Sequence, residues 1–143
     1  MAIHRNTIQR ALVLDAVRSL KNHPTPDMVC EYVRRHSPAV SRSTVYRNLN
    51  LLCREGHLQR VRVPDSADHI DHRCDPHYHA VCRKCGCVFD LELVEGGKLT
   101  EDPSCLCDSV TGEDFTLEGC IVLFNGICGS CAESETEEAE PDK

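Results

Sequence analysis

The 143-residue sequence contains no tryptophan and only three tyrosines and three phenylalanines. No apolar run approaches the ~20 residues that a membrane-spanning helix needs, and the polar, basic first ten residues lack the apolar stretch of a secretory signal. Glycine and proline are too infrequent for a collagen-like chain. The length excludes a large enzyme fold such as an α/β barrel. These absences predict a cytoplasmic protein of one or two small domains.

Cysteine and histidine, in contrast, are abundant, at 11 and 8 residues. Without a secretion signal, this many thiols indicates metal or redox chemistry in a reducing compartment rather than a disulfide framework. An odd number of cysteines also fits a fully bridged framework poorly.

Charge is distributed unevenly along the chain. Residues 1–63 contain 11 basic and 4 acidic side chains, a net charge of +7, whereas residues 64–143 contain 5 and 19, a net charge of −14. The basic part favours a polyanion-binding module such as a nucleic-acid-binding domain. The alternative is two solvated surfaces of opposite sign. The acidic end, residues 133–143, is predicted to be a disordered tail.

Three helical patterns fill the first part of the chain. Apolar residues at helical spacing predict helices over residues 7–21, from Pro26 to about Ser37, and from about Ser43 to Gly56. Serine and threonine precede each pattern as candidate N-caps. The candidate caps are Thr7, Thr25, and Ser41 or Ser43, and the second helix is expected to bury Met28, Val29, Tyr32 and Val33.

An alternating stretch over residues 57–63 predicts a strand after the third helix. Three helices and a two-stranded wing make a winged helix-turn-helix domain over residues 1–63, with residues 64–76 as wing end and hinge. The third helix would then enter the major groove. The predicted DNA contacts are Arg42, Ser43, Thr44, Tyr46, Arg47 and Asn50 on the helix, and Arg60 and Arg62 on the strand. The alternative is a three-helix packing domain with charged outer faces.

Two Cys-x2-Cys pairs, Cys82/Cys85 and Cys128/Cys131, form the strongest local motif. Each pair brings two thiolates to one ion from a tight turn, and together they complete a tetrahedral four-sulfur site that selects zinc. All four positions are filled, so the site is predicted to be structural. The alternative is a redox pair, but no βαβ pattern surrounds either motif.

A second group of possible ligands lies just before the first pair. His77 and His79 alternate, so both side chains face one side of a strand, and Asp71 precedes them. Further residues with apolar, strand-like patterns, 87–93 and 120–126, complete a mixed second unit over residues 77–132. The fold class is therefore predicted as α+β.

These motifs resemble the ferric uptake regulator (Fur) family of metal-dependent transcription regulators. The matching pieces are Thr7-x-Gln9-Arg10 and the segments 23–27, 43–52, 77–86 and 126–131. The resemblance implies a homodimer that binds inverted-repeat DNA, a small α/β dimerisation domain with a helix near residues 96–111, and one structural zinc ion per subunit. It also implies a regulatory Fe(II) or Mn(II) site formed by His23, Asp71, His77, His79 and Asp90.

Within the family, the pattern is most similar to the peroxide-responsive repressors. Asp90 stands where ferric-uptake members usually carry glutamate. The ferric-uptake members also have histidines of an additional metal site near the last strand, and the corresponding residues of this chain include none. Three imidazoles and two carboxylates suit Fe(II) or Mn(II) better than a thiophilic ion. The resemblance implies that peroxide and bound Fe(II) oxidise His23 and His77, which is self-modification, so an enzyme is not expected.

Alternatives remain open at this stage. The same family includes sensors of iron or zinc availability, and a distant alternative is a small metallohydrolase using His77 and His79. A thiol redox switch is a third. The surplus cysteines could bind metal, form such a switch or be small buried hydrophobes: Cys74, Cys87, Cys105, Cys107 and Cys120. Many relatives carry an extra N-terminal helix, for which only six residues precede Thr7.

Overall fold

The computed structural model describes residues 2–96 and 110–138. The predicted helix near 96–111, Cys105 and Cys107 therefore fall almost entirely outside the described residues. The chain forms two compact units, Met1–Asp75 and Pro76–Lys143. The break lies one residue before the predicted start of the second domain at residue 77.

The first helix of the first unit, α1, spans Ala2–Leu20. The prediction that Thr7 caps this helix is wrong, because Thr7 lies inside it. The residues before Thr7 include no glycine or proline, so nothing in the sequence stops the helix from extending toward the N-terminus. The buried face of α1 is contributed by Val13, Ala16 and Val17.

The second helix, α2, spans Pro26–His36 and confirms its predicted cap. The Thr25 hydroxyl accepts a hydrogen bond from the Met28 backbone N–H at 3.3 Å, and proline occupies the first helical position, where its missing N–H costs nothing. The predicted burial of Met28 is wrong, since its side chain is 52% exposed. Cys30 is buried in its place, on the same face as Val29 and Val33.

The third helix, α3, spans Arg42–Arg54 and is capped by Ser41, whose hydroxyl accepts from the Thr44 N–H at 3.2 Å. Gly56 follows its C-cap, Glu55, and has the left-handed φ of +81° that glycine adopts without steric cost. Its core face contains Val45, Leu49 and Leu52, which recur at helical spacing in the sequence, and the polar Asn48.

A two-stranded antiparallel sheet follows, with β1 at Gln59–Val61 and β2 at His69–Asp71. The predicted alternation is confirmed, because Val61 and Val63 are buried while Arg62 is exposed. All three residues of β2 are buried. The segment 64–76, predicted as wing end and hinge, therefore contains the inner strand of the wing.

The core of the first unit is largely aliphatic. Its largest fully buried side chains include Leu49, Leu52 and Ile70. Ile70 joins the wing to the helices, because its side chain lies in the same cluster as the helical residues and its N–H donates to the Pro24 carbonyl at 2.8 Å.

The second unit contains β3 (Tyr78–Cys82), β4 (Val88–Leu91), β5 (Phe124–Gly126) and α4 (Gly129–Glu138). Antiparallel β4 and parallel β5 flank β3. Residues 120–126 are apolar enough that the sequence predicts a buried strand, and this prediction is wrong: only 124–126 form a strand, and all three are exposed. β5 pairs with β3 on one side, and in the described residues its one large apolar side chain, Phe124, packs edge-on against the Tyr78 ring at 5.9 Å between centroids.

Helix α4 also corrects the prediction of a disordered tail from residue 133. Residues 133–138 are helical, because local contacts compensate for the acidic composition. The Glu135 carboxylate lies 3.4 Å from Arg83 and 3.8 Å from Lys84, and the Ser134 hydroxyl donates to the Cys131 carbonyl at 2.9 Å. Residues 139–143 lie outside the described residues. Within the described ranges, no helix is long and apolar enough to span a membrane.

Candidate metal centres and nucleic-acid interface

The four cysteines of the two Cys-x2-Cys motifs converge in the second unit. Cys82 ends β3, Cys85 lies in the tight turn that follows, and Cys128 and Cys131 lie before and within the first turn of α4. Their sulfur atoms all lie within 4.8 Å of one another, and Cys85 Sγ is 3.8 Å from Cys128 Sγ. A tetrahedral zinc ion with Zn–S bonds of ~2.3 Å requires sulfur atoms about 3.8 Å apart. The cluster therefore fits zinc and is too open for a disulfide.

The electrostatics of the cluster support the same conclusion. Backbone N–H groups of Cys85 and Cys128 point to the Cys82 sulfur and lower its pKa to about 6. The Cys131 thiol interacts with the Cys128 sulfur, which raises the pKa of Cys131 to about 12. The Cys82 sulfur is thus favoured as a thiolate, whereas the Cys131 thiol needs a nearby cation before it ionises. This is the donor chemistry of a thiophilic metal ion.

A separate group of nitrogen and oxygen donors lies on β3 and β4. His79 pairs directly with Asp90 across the two strands, and His77 precedes β3 by one residue. The Asp90 Oδ1 atom is 2.9 Å from His77 Nε2 and 3.3 Å from His79 Nε2. Ligand atoms at right angles around an ion with ~2.1 Å bonds are about 3.0 Å apart. Two buried imidazoles and a carboxylate therefore fit a divalent cation that prefers nitrogen and oxygen.

The first unit holds another imidazole–carboxylate pair. His23 Nε2 lies 3.2 Å from Asp71 Oδ2, and both side chains are largely buried. The predicted ligands of the first unit, His23 and Asp71, are therefore brought together, as are His77, His79 and Asp90 of the second.

The backbone that presents His23 is in an uncommon conformation. Lys21, Asn22 and His23 all have left-handed φ values, of 50°, 54° and 57°, which non-glycine residues adopt only when the surroundings impose them. β2 supplies the constraint, because His69 Nδ1 donates to the His23 carbonyl at 2.6 Å. Sequence reasoning missed this role of His69, since no pattern reveals that β2 would lie beside residue 23.

The predicted DNA-contacting side chains lie on α3 and the wing. Arg47 and Arg62 are exposed, and neither has a partner among the described residues. Asn50 accepts from Arg60 at 2.7 Å, so helix and wing are joined by a hydrogen bond, and Arg60 also lies 3.4 Å from Asp68.

The first residues of α3 have internal partners. The Ser41 hydroxyl lies 3.2 Å from that of Ser43 and 2.8 Å from that of Thr44. Arg42 and Tyr46 both donate to the Asp27 carboxylate. Sequence reasoning did not assign Asp27 a role; its only signal was its place in the segment 23–27 that carried the family resemblance.

A model of the ferric uptake regulator family matches residues 2–103. The chain belongs to the ferric uptake regulator family. A curated relative, the transcriptional regulator FurA of Mycobacterium tuberculosis, is 31% identical over 96% of this chain and 89% of its own length. The peroxide-responsive repressor PerR of Staphylococcus epidermidis is 28% identical over 90% of this chain and 82% of its own.

Among solved structures, this family member is similar to the Campylobacter jejuni peroxide stress regulator, with a TM-score of 0.67 and 28% identity. The match covers 89% of this chain and 91% of the other. The predicted family and the predicted mixed fold, with helices and small sheets, are thereby confirmed.

Proposed function

We propose that this protein is a homodimeric DNA-binding repressor that senses peroxide through Fe(II)-dependent oxidation of its own histidines. The broader statement, that it is a metal-responsive transcriptional regulator, follows from membership of the Fur family. The observation that supports the finer one is the cluster of His77, His79 and Asp90. Its donors are imidazole and carboxylate only, the set that suits Fe(II) and Mn(II). Since the relatives regulate transcription, no catalytic turnover is expected.

The proposal assigns two ions to each subunit. A structural zinc ion is held by the four thiolates of Cys82, Cys85, Cys128 and Cys131. A regulatory Fe(II) or Mn(II) ion is held by His23, Asp71, His77, His79 and Asp90. The His23–Asp71 pair in the first unit and the His77–His79–Asp90 cluster in the second each supply too few donors for a six-coordinate ion on their own. An ion that uses both sets favours the conformation that presents all five donors together. It thereby biases the equilibrium between that conformation and one in which the donors are apart.

Held by His23, Asp71, His77, His79 and Asp90, Fe(II) would activate the O–O bond of peroxide beside the imidazoles, with no net loss of electrons from the ion. The proposed targets are His23 and His77. In the net reaction hydrogen peroxide transfers one oxygen atom to an imidazole C–H, which becomes C–OH, and its other oxygen leaves as water. The ring loses two electrons. The modified ring is a poorer and bulkier donor, so the preference for the conformation that binds DNA is lost.

DNA recognition is assigned to α3 and the wing. In a winged helix-turn-helix domain the third helix enters the major groove, which gives Tyr46 and Arg47 access to base edges. The other proposed contacts, to bases or phosphates, are Arg42, Ser43, Thr44, Asn50, Arg60 and Arg62. A symmetric dimer would bind two half-sites about one helical turn, ~10 bp, or a multiple apart.

Binding to DNA tests the proposal when metal and oxidant are varied together. The Fe(II)-loaded and Mn(II)-loaded forms are each bound to inverted-repeat DNA before and after micromolar peroxide. We expect both forms to bind and only the Fe(II) form to release DNA after peroxide. Binding that requires metal but ignores peroxide in both forms would contradict peroxide sensing.

A second candidate is a sensor of iron or zinc availability, which is favoured by the similarity to a zinc uptake regulator solved with zinc and DNA, at 25% identity and a TM-score of 0.63. Cys74 is the residue that distinguishes a zinc sensor, because a thiol in the regulatory site would favour zinc. In an availability sensor that uses zinc, Cys74→Ser would abolish the response to zinc. In the peroxide sensor, the same substitution leaves the response to Fe(II) and peroxide unchanged.

A further inference from the structure

One carboxylate links the start of α2 to the proposed recognition surface of α3. Asp27 is the second residue of α2, and its Oδ1 atom accepts hydrogen bonds from the Tyr46 hydroxyl and from the Arg42 guanidinium. Arg42 Nη2 also donates to the Tyr46 hydroxyl oxygen at 3.2 Å, and the Arg42 guanidinium carbon lies 5.2 Å from the centre of the Tyr46 ring. These three side chains form a closed set, here called the Asp27 triad.

The triad fixes side chains that would otherwise be free to move. Arg42 and Asp27 are largely exposed, at 60% and 66%, and an exposed arginine ordinarily samples many rotamers. Here two partners hold its guanidinium. The pKa of Asp27 is lowered, first because the Tyr46 hydroxyl donates to it, and the same hydrogen bond raises the pKa of Tyr46. Tyr46 therefore keeps its proton, and its hydrogen points to Asp27.

The charge of Asp27 has a second effect. The surface formed by α3 and the wing is proposed to meet DNA phosphates, and a carboxylate there opposes the sequence-independent attraction between basic residues and phosphates. The same carboxylate orders Tyr46, which is proposed to contact base edges, and Arg42 beside it, and sequence preference depends on such base contacts. The first effect weakens binding to any DNA sequence, and the second increases the difference between specific and nonspecific affinity.

We propose that Asp27 is a positioning residue for DNA recognition, which holds Tyr46 and Arg42 for their contacts with the operator and disfavours nonspecific DNA. This inference rests on the proposed function, since it requires that α3 binds DNA. It predicts that Asp27 affects the specificity ratio, which is the affinity for the operator divided by the affinity for nonspecific DNA, and not affinity alone.

Two variants of Asp27 and one control separate geometry from charge. Asp27→Ala removes both the acceptor and the charge, whereas Asp27→Asn removes the charge and keeps an oxygen acceptor. Glu31→Gln is the control, because Glu31 lies one turn along α2 and pairs with Arg35 at 2.5 Å. It removes the same charge without altering a contact of Tyr46 or Arg42.

The probes are DNA duplexes chosen by the protein itself. The full-length Mn(II)-loaded wild-type chain selects duplexes from a random-sequence library. All variants are then measured on the most enriched duplex and on a scrambled duplex of the same composition, at salt concentrations from about 50 to 200 mM. Thermal melting of each variant confirms that it is folded.

We expect Asp27→Ala to lower the ratio of the two affinities about tenfold, which corresponds to one base-specific contact. The salt dependence of binding to the scrambled duplex should steepen by about 0.9, since the released Arg42 gains one phosphate. Asp27→Asn should bind the scrambled duplex more tightly but retain the base preference. Glu31→Gln should leave the ratio unchanged.

Two results would overturn the inference. Equal ratios in the wild type and Asp27→Ala would show that Asp27 does not position the recognition side chains. Equal losses of ratio in Asp27→Ala and Glu31→Gln would show that only the overall charge of α2 matters. A wild-type chain that enriches no sequence is a different result, because it overturns the proposed function itself.

Discussion

Carboxylates of the same chemical type have different roles in this protein, and their partners decide which. Asp27 accepts hydrogen bonds from an arginine and a tyrosine on the surface, whereas Asp71 and Asp90 each face imidazoles. A cation-binding role is reasonable only for the latter two, because imidazole and carboxylate can share one divalent ion. The role of each carboxylate therefore depends on the side chains around it rather than on the residue type alone.

The four-thiolate site predicts a clear difference between a cysteine of the cluster and one outside it. Cys131→Ser removes one sulfur of the tetrahedral set and should reduce bound zinc from one ion per chain to a weakly held fraction, since a hydroxyl is a poor zinc ligand. Cys87→Ser is the matched control, because Cys87 is exposed and lies outside the cluster. Zinc content after dialysis against a mild chelator measures both. Equal loss of zinc in the two variants would contradict the assignment.

The lowered pKa of Cys82 predicts how the stability of the zinc-free protein depends on pH. The pKa is about 6 in the folded chain and 9.0 for an ordinary thiol, so the thiolate contributes stability that is complete above pH 9 and is lost as the pH falls through 6. Between these limits the free energy of unfolding should rise with pH.

Urea denaturation of the chelator-treated protein at pH 6, 7 and 8 measures this dependence. Cys82→Ser is the control that removes the thiol and leaves the histidines. The midpoint of the wild type should rise with pH by more than that of Cys82→Ser. The same slope in both proteins would contradict a stabilising thiolate at Cys82.

At the scale of elements, the wild-type sequence contains two hydroxyls, at Ser41 and Ser43, that could each cap α3. The structure assigns the cap to Ser41. Ser41→Ala should therefore lower the free energy of unfolding by about 1 kcal/mol, the usual cost of losing an N-cap. Ser43→Ala, the control, should cost much less. Chemical denaturation measures the free energy of unfolding of both variants. A larger decrease for Ser43→Ala than for Ser41→Ala would show that Ser43, not Ser41, caps α3.

Elements with local signals were predictable from the sequence, and those that depend on distant contacts were not. The Thr25-Pro26 start of α2 and Gly56 after α3 are local backbone rules, and the structure confirms both. The extension of α1 past Thr7 was missed because Thr7 could serve either as a cap or as an interior residue. The helical residues 133–138 were missed because an ion pair between Glu135 and Arg83 has no signature in sequence.

The candidate sites follow the same division. The four thiols were predictable because two Cys-x2-Cys turns define their own geometry. The pairing of His79 with Asp90 was predictable only through the family resemblance, since the register of β3 and β4 brings them together. The roles of Asp27 and His69 were not predicted, because each acts on a residue of another element through a contact that only the fold creates.

For the whole molecule, the charge division along the chain corresponds to the two compact units. The basic excess of residues 1–63 lies in the unit that contains α3 and the wing, whereas both the four-thiolate cluster and the His77–His79–Asp90 cluster lie in the other. One unit has a basic excess, and both units contain metal donors. This distribution is physically consistent with a regulator whose DNA affinity depends on metal. Family membership supports this division of labour.

The most direct test of the account follows DNA binding and histidine oxidation in the same sample. Fe(II)-loaded protein bound to its selected duplex is treated with micromolar peroxide, with the Mn(II)-loaded form as control, and aliquots are divided between a binding assay and peptide mass spectrometry. We expect the Fe(II) form to release DNA at the rate at which the peptides containing His23 or His77 gain one oxygen atom. Release without oxygen on either histidine, or equal release in the Mn(II) form, would contradict it.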